Sequence, residues 1–157
     1  MPAESQFTSS HDLMLGTLKP DARRVRFIAA AALAYWIVLV GMMHIPLPRE
    51  EEVLPHAPVP ADKVVHVTAY FAFSFLLCWA WDERRRLKTA AAGKRLVTAA
   101  VVFFVVSIYG AFDELTQPWT GRDCNLADYL GDLVGAFLGV VAFWFMFRRS
   151  SLRTAAE

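Results

Sequence analysis

The sequence predicts an all-α integral membrane protein, a four-helix antiparallel bundle with both termini cytoplasmic. Three observations carry that expectation. The chain of 157 residues is 56% hydrophobic and only 20% charged, with a mean hydropathy of +0.36. A soluble domain of this size needs more polar surface to cover its core. The apolar residues gather in four runs of 17 to 19 residues, close to the ~20 that cross ~30 Å of hydrocarbon as a helix. The basic residues fall almost wholly on one side of those runs, the asymmetry that orients membrane helices. This composition excludes a disordered chain, which would be poor in apolar residues. A net charge of +1 gives no general argument for a nucleic-acid partner.

The first run, Phe27 to Ile45, follows a mostly polar segment, residues 1–26. It is longer than the apolar core of a signal peptide, and Pro46 and Pro48 follow it rather than a small-residue cleavage site. It reads as a retained anchor. The second run is Val64 to Trp81, the third Leu96 to Phe112 and the fourth Tyr129 to Phe147. Stretches such as VVFFVV and YWIVLVGMM carry no polar face, as a soluble bundle would, and no strict alternation, as barrel strands would. The membrane domain therefore covers residues 27–147, and residues 148–157 form a tail. Between the first two runs, Pro46, Pro48, Pro55, Pro58 and Pro60 read as loop stiffeners, and Glu50 to Glu52 as a solvated patch.

Of the 16 Lys and Arg, 13 precede the first run, fill the loop between the second and third, or follow the fourth. Arg49, Lys63 and Arg122 lie on the other side. Both termini are therefore expected inside, on the cytoplasmic side of a four-span membrane protein. Cys78 and Cys124 are too few and too far apart in character for a disulfide framework or a zinc site.

On this topology the remaining polar residues concentrate at the outer end. Asp62, His66 and Tyr70 are four apart and share one helix face, as do Tyr109, Asp113 and Gln117. Asp128 and Asp132 share a face of the fourth span, Asp132 about one turn (~5 Å) deeper. Turned inward, these faces would line a shallow polar pocket open to the outside. No ionisable residue falls mid-span, which argues against a proton relay or a small multidrug antiporter.

Several of these residues also have purely architectural readings. Asp62, after Pro60-Ala61, suits a helix N-cap; Lys63 could snorkel to the headgroups; Asn125 with Asp128 resembles a capping box; His66 could be a packing histidine. Asp113 and Glu114 fit such a reading less well. They close a helix whose dipole disfavours negative charge there, unless Arg122 or Lys63 pairs with them. Asp132 lies beyond the first turn in an apolar run, where a carboxylate marks a site or a buried network. Five carboxylates face two cations, a net of −3 with His66 neutral, so an amine-bearing ligand suits the cluster better than bare phosphate. Oxygen ligands of this kind suit a divalent cation, but no HExxH or comparable motif is present; no metal and no cofactor is assigned. Gly131, Gly135 and Gly139 form a small-residue stripe that serves internal packing or a homo-oligomer contact.

The ordered motifs Asp62-Lys63-x-x-His66-x-x-x-Tyr70, Asp113-Glu114-x-x-Gln117, then Arg122 and Asp128 resemble those of the VanZ-like family. The resemblance covers roughly residues 30 to 147. It implies a small bacterial membrane protein of the cell envelope, and these nine residues as its functional positions. The name-giving member of the family is associated with teicoplanin resistance, so the resemblance also links this chain to glycopeptide resistance. Asp132 is added by its own position rather than by the motifs.

Two functional classes follow. In one, the cluster binds, or binds and processes, a lipid headgroup or cell-wall precursor among the membrane lipids. His66 is then the proton-transfer candidate, with Glu114 or Asp132 as acid or base partner. In the other, the protein is a non-enzymatic scaffold and the cluster only locks its helices. No nucleophile motif, phosphate loop or redox motif supports a named reaction, so binding is expected ahead of catalysis.

Overall fold

The computed structural model describes residues 21–45, 61–88 and 95–153, with side chains through Phe147. The stiffening prolines, the Glu50 to Glu52 patch, Arg49 and most of the N-terminal segment lie outside the described residues. What is described is a helical bundle: α1 Ala22–His44, α2 Ala61–Lys88, α3 Arg95–Thr116 and α4 Leu126–Arg153, with a 3-10 turn Gln117–Thr120 after α3. All four helices are long and apolar enough to cross a membrane.

The helices extend beyond their apolar runs at most ends. α1 starts at Ala22, capped by the Asp21 carboxylate accepting from the Arg23 N–H at 2.9 Å. α4 continues to Arg153, through most of the expected tail. The apolar run marks the hydrocarbon; the helix continues past it because helical bonding satisfies the backbone at the interface as well. Polar residues flanking the runs therefore sit on helices rather than loops. Asp62 belongs to the first turn of α2 and is not its N-cap.

α2 and α4 pack most closely, and the glycine stripe is the reason. A methyl group at Gly135 would meet the Val67 carbonyl oxygen, with the Phe71 nitrogen 3.0 Å away. One at Gly139 would meet the Ser74 hydroxyl and the Phe71 carbonyl. The stripe is thus filled by α2 of the same chain rather than left for a second copy. Around this contact Tyr70, Cys78, Val102, Val106, Ala136 and Phe143 are buried. Phe104, Ile108, Phe112, Leu115 and Phe137 are more than half exposed on the outside, an apolar surface that suits lipid and not water.

Towards the end of α2, Glu83 pairs with Arg24 at 3.2 Å, and Asp82 with Arg86 at 3.0 Å and Arg95 at 3.4 Å. The Arg95 guanidinium also donates to the Phe147 carbonyl. Sequence reading passes over these acids because four basic residues follow them closely.

Candidate functional site

All ten residues singled out in the sequence converge at the end where α2 and α4 begin, and they form two layers. The outer layer holds Asp62, Lys63, Arg122 and Asp128. Lys63 does not snorkel outward; its ammonium turns in to donate to Asp128 and, at 3.3 Å, to Asp62 Oδ2. Arg122, in the loop after α3, donates to Asp62 Oδ1 at 3.1 Å and to the Met43 carbonyl at 3.0 Å. The loop reaches inward because Gly121 reverses the chain at φ 84°, a conformation that favours glycine. Its N–H closes on the Pro118 carbonyl at 3.3 Å.

The inner layer holds His66, Tyr70, Asp113, Glu114, Gln117 and Asp132, every one of them buried. His66 Nδ1 donates to Asp132 Oδ1 at 2.8 Å, since an ionised carboxylate only accepts. His66 Nε2 lies 3.8 Å from Asp62 Oδ1, too far for a hydrogen bond. Asp113 accepts from the hydroxyls of Tyr70 and Tyr109, each at 3.3 Å. Glu114 accepts from Gln117 Nε2 at 3.1 Å and from the Asn125 N–H at 2.9 Å. Asn125 does cap α4, its side-chain oxygen accepting from the Ala127 N–H at 3.0 Å. Its reciprocal partner is Glu114 from another helix, not Asp128 as a local capping box would have it.

Neither Arg122 nor Lys63 pairs with Asp113 or Glu114, because both cations are engaged by the outer carboxylates. The shallow open pocket expected from the sequence is instead a packed polar core. Only the outer residues keep exposure, 19% for the Asp62 side chain and 25% for that of Lys63. Within the core, His66 Nε2, Asp132 Oδ2 and Gln117 Oε1 have no hydrogen-bond partner. Two groups of three could hold a cation, Asp62–His66–Asp128 and His66–Glu114–Asp132.

The structure adds residues that the sequence did not single out. His44, at the end of α1, pairs its Nε2 with the Thr116 hydroxyl at 3.1 Å, and its Nδ1 donates to the Val40 carbonyl at 2.9 Å. That ring stands 3.7 Å from Asp113 Oδ1. Gly110 faces Asp132: a methyl there would lie 3.3 Å from Asp132 Oδ2 and from the Tyr70 ring. Tyr109, which its spacing already set on one face with Asp113, joins through its hydroxyl. Asp123 and Cys124 stay exposed in the loop and take no part.

Comparison with known proteins returns no match among curated sequences and none among solved structures. A family model described as VanZ/LLP1 matches residues 18–148, a span that contains both layers and all four helices through the described side chains. With that match the three motifs find their explanation, and the chain belongs to the VanZ-like family of multi-pass membrane proteins.

Proposed function

We propose that this is a bacterial inner-membrane protein, its four helices antiparallel and both termini cytoplasmic, whose polar core receives the head of a lipid or lipid-linked cell-wall precursor at the outer leaflet. The observation that carries the reading is the junction at Tyr109. A groove of about 730 Å³ runs between α1, α2 and α3, from Tyr109 past Trp36, Phe73 and Leu77 to Arg84 and Arg85 near the end of α2. The same Tyr109 donates to Asp113 in the polar core. An amphiphile with its chain in this groove has its head beside the inner layer. Carboxylates outnumber cations there, so the head carries an amine or arrives with a cation. His66 and Asp132 are placed as a proton-transfer pair; the sequence carries no nucleophile motif, and the reading is binding rather than catalysis. By family, such binding is expected to lower susceptibility to a teicoplanin-type glycopeptide.

A second reading, a scaffold whose polar cluster is a lock, has one observation in its favour: every charge of the outer layer is paired. The two readings separate on Glu114→Gln, which keeps the acceptor used by Asn125 but removes an inner charge. Native mass spectrometry of purified protein should show a discrete lipid or precursor adduct on wild type, lost in Glu114→Gln at equal membrane abundance. Expression in a susceptible bacterium should raise the teicoplanin concentration it tolerates, again not with the variant. Equal adducts and equal tolerance for both proteins would leave the scaffold reading standing.

A further inference from the structure

We propose that His66, Glu114 and Asp132 form a binding site for one divalent first-row transition-metal cation of the Zn²⁺ or Mn²⁺ class. One imidazole nitrogen and one oxygen from each carboxylate lie within 4.8 Å of one another, supplied by α2, α3 and α4. The three residues are 0%, 3% and 1% exposed. Clustering alone is not the argument. His66 Nε2 and Asp132 Oδ2, on two of these three ligands, are buried with no hydrogen-bond partner, as is Oε1 of Gln117, whose amide nitrogen donates to the third, Glu114. Burying a polar atom without a partner is costly, and a cation would satisfy the ligand atoms.

Charge points the same way. Glu114 and Asp132 carry two negative charges when ionised, and the two cations of this end, Lys63 and Arg122, are taken by Asp62 and Asp128. A divalent cation balances the pair where no side chain does. The outer group Asp62–His66–Asp128 lacks this property, since its carboxylates are already neutralised. The donor set, one nitrogen with two carboxylate oxygens, suits Zn²⁺ or Mn²⁺ better than an all-oxygen Ca²⁺ site. Nε2 is the ring nitrogen with no hydrogen-bond partner. A cation taken there leaves Nδ1 its contact with Asp132 Oδ1 at 2.8 Å, the kind of hydrogen bond that orients metal-bound imidazoles. It also leaves Asp132 Oδ2 as the oxygen that ligates. Ligation needs the three donors to close to about 2.0–2.2 Å from the ion, a shift of side-chain torsions within a frame fixed by α2 and α4.

The site does not depend on the headgroup reading, because metal uptake is measured on delipidated protein in detergent. Full-length protein stripped with chelator is titrated with Zn²⁺ against a chromophoric competitor, and metal content is then read by mass spectrometry. One equivalent per chain is expected. Asp132→Asn and Glu114→Gln should each weaken binding at least ~10-fold, as loss of a ligand exceeds loss of an outer-shell partner. Asp123→Asn, a carboxylate change in the exposed loop, should leave it unaltered. A reading that needs no variant is Cu²⁺ bound to wild type, which should show the spin-echo modulation of one imidazole nitrogen. Wild type that takes up no metal, binding undiminished in folded Asp132→Asn, or bound Cu²⁺ without imidazole coupling would each overturn the site.

Discussion

At the rim of the polar end, Asp62 and Asp128 face Lys63 and Arg122, two carboxylates against two cations, with the Met43 carbonyl taking a further guanidinium donor. About one turn deeper, Asp113, Glu114 and Asp132 face no Lys or Arg among the described residues. Their partners are His66, the hydroxyls of Tyr70 and Tyr109, the Gln117 amide and one backbone N–H. The two layers draw on the same residue types and differ in burial and in charge balance. The paired layer ties the loop after α3 to the starts of α2 and α4 and to the end of α1; that is a latch. The unpaired layer holds charge where lipid makes it costly and leaves buried donor and acceptor positions open. Architecture does not require such an arrangement, so a ligand or cation is sought there.

The largest expected effect removes the comparison altogether. Gly135→Leu drives a side chain into the Val67 backbone and separates α2 from α4, the helices that carry three of the four outer residues and three of the six inner ones. Overpacking of this kind costs about 3 kcal/mol or more where the obstacle is backbone. Membrane abundance and thermal unfolding in detergent should both fall steeply, and normal values for the variant would contradict the close α2–α4 contact. Next in size is Lys63→Met, which keeps the apolar stem and leaves Asp128, 3% exposed, without its cation. Breaking a buried pair costs roughly 3–5 kcal/mol; with Lys63 one-quarter exposed, about 2 kcal/mol is expected. Chemical unfolding in detergent measures it.

What the sequence could reveal of these layers follows from how far each partner lies along the chain. Asp132 is legible because a carboxylate inside an apolar run violates the local pattern by itself. Asp113 and Gln117 are legible because helical spacing stacks them on one face. Lys63 stays open between a snorkelling and a site reading because its partner Asp128 is 65 positions away and nothing local announces it. His44 is missed for the same reason. A histidine at the end of an apolar run looks like a boundary, and only the approach of the end of α1 to the end of α3 sets it on Thr116, 72 positions later. The glycine stripe is visible as a spacing, whereas its occupant, α2 or a second copy, is fixed only by three-dimensional packing. The polar groups were therefore readable one helix at a time, and their sorting into a paired and an unpaired layer was not.

The smallest expected change in stability is the sharpest test of that sorting. Asp132→Asn keeps the size of the side chain and the oxygen that accepts from His66 Nδ1. It removes a charge that no Lys or Arg offsets. The charge-assisted hydrogen bond becomes a neutral one, a loss of about 1 kcal/mol. Relief of a buried, unpaired charge acts in the opposite direction. In chelator-treated protein the two should nearly cancel, leaving unfolding within about 1 kcal/mol of wild type, while ligand and metal uptake are lost. In Lys63→Met the order reverses, with stability falling before uptake does. If Asp132→Asn instead destabilises the metal-free protein as much as Lys63→Met, the inner carboxylates are holding the helices together too. The two layers would then be one latch, and the open positions around His66 would carry no ligand.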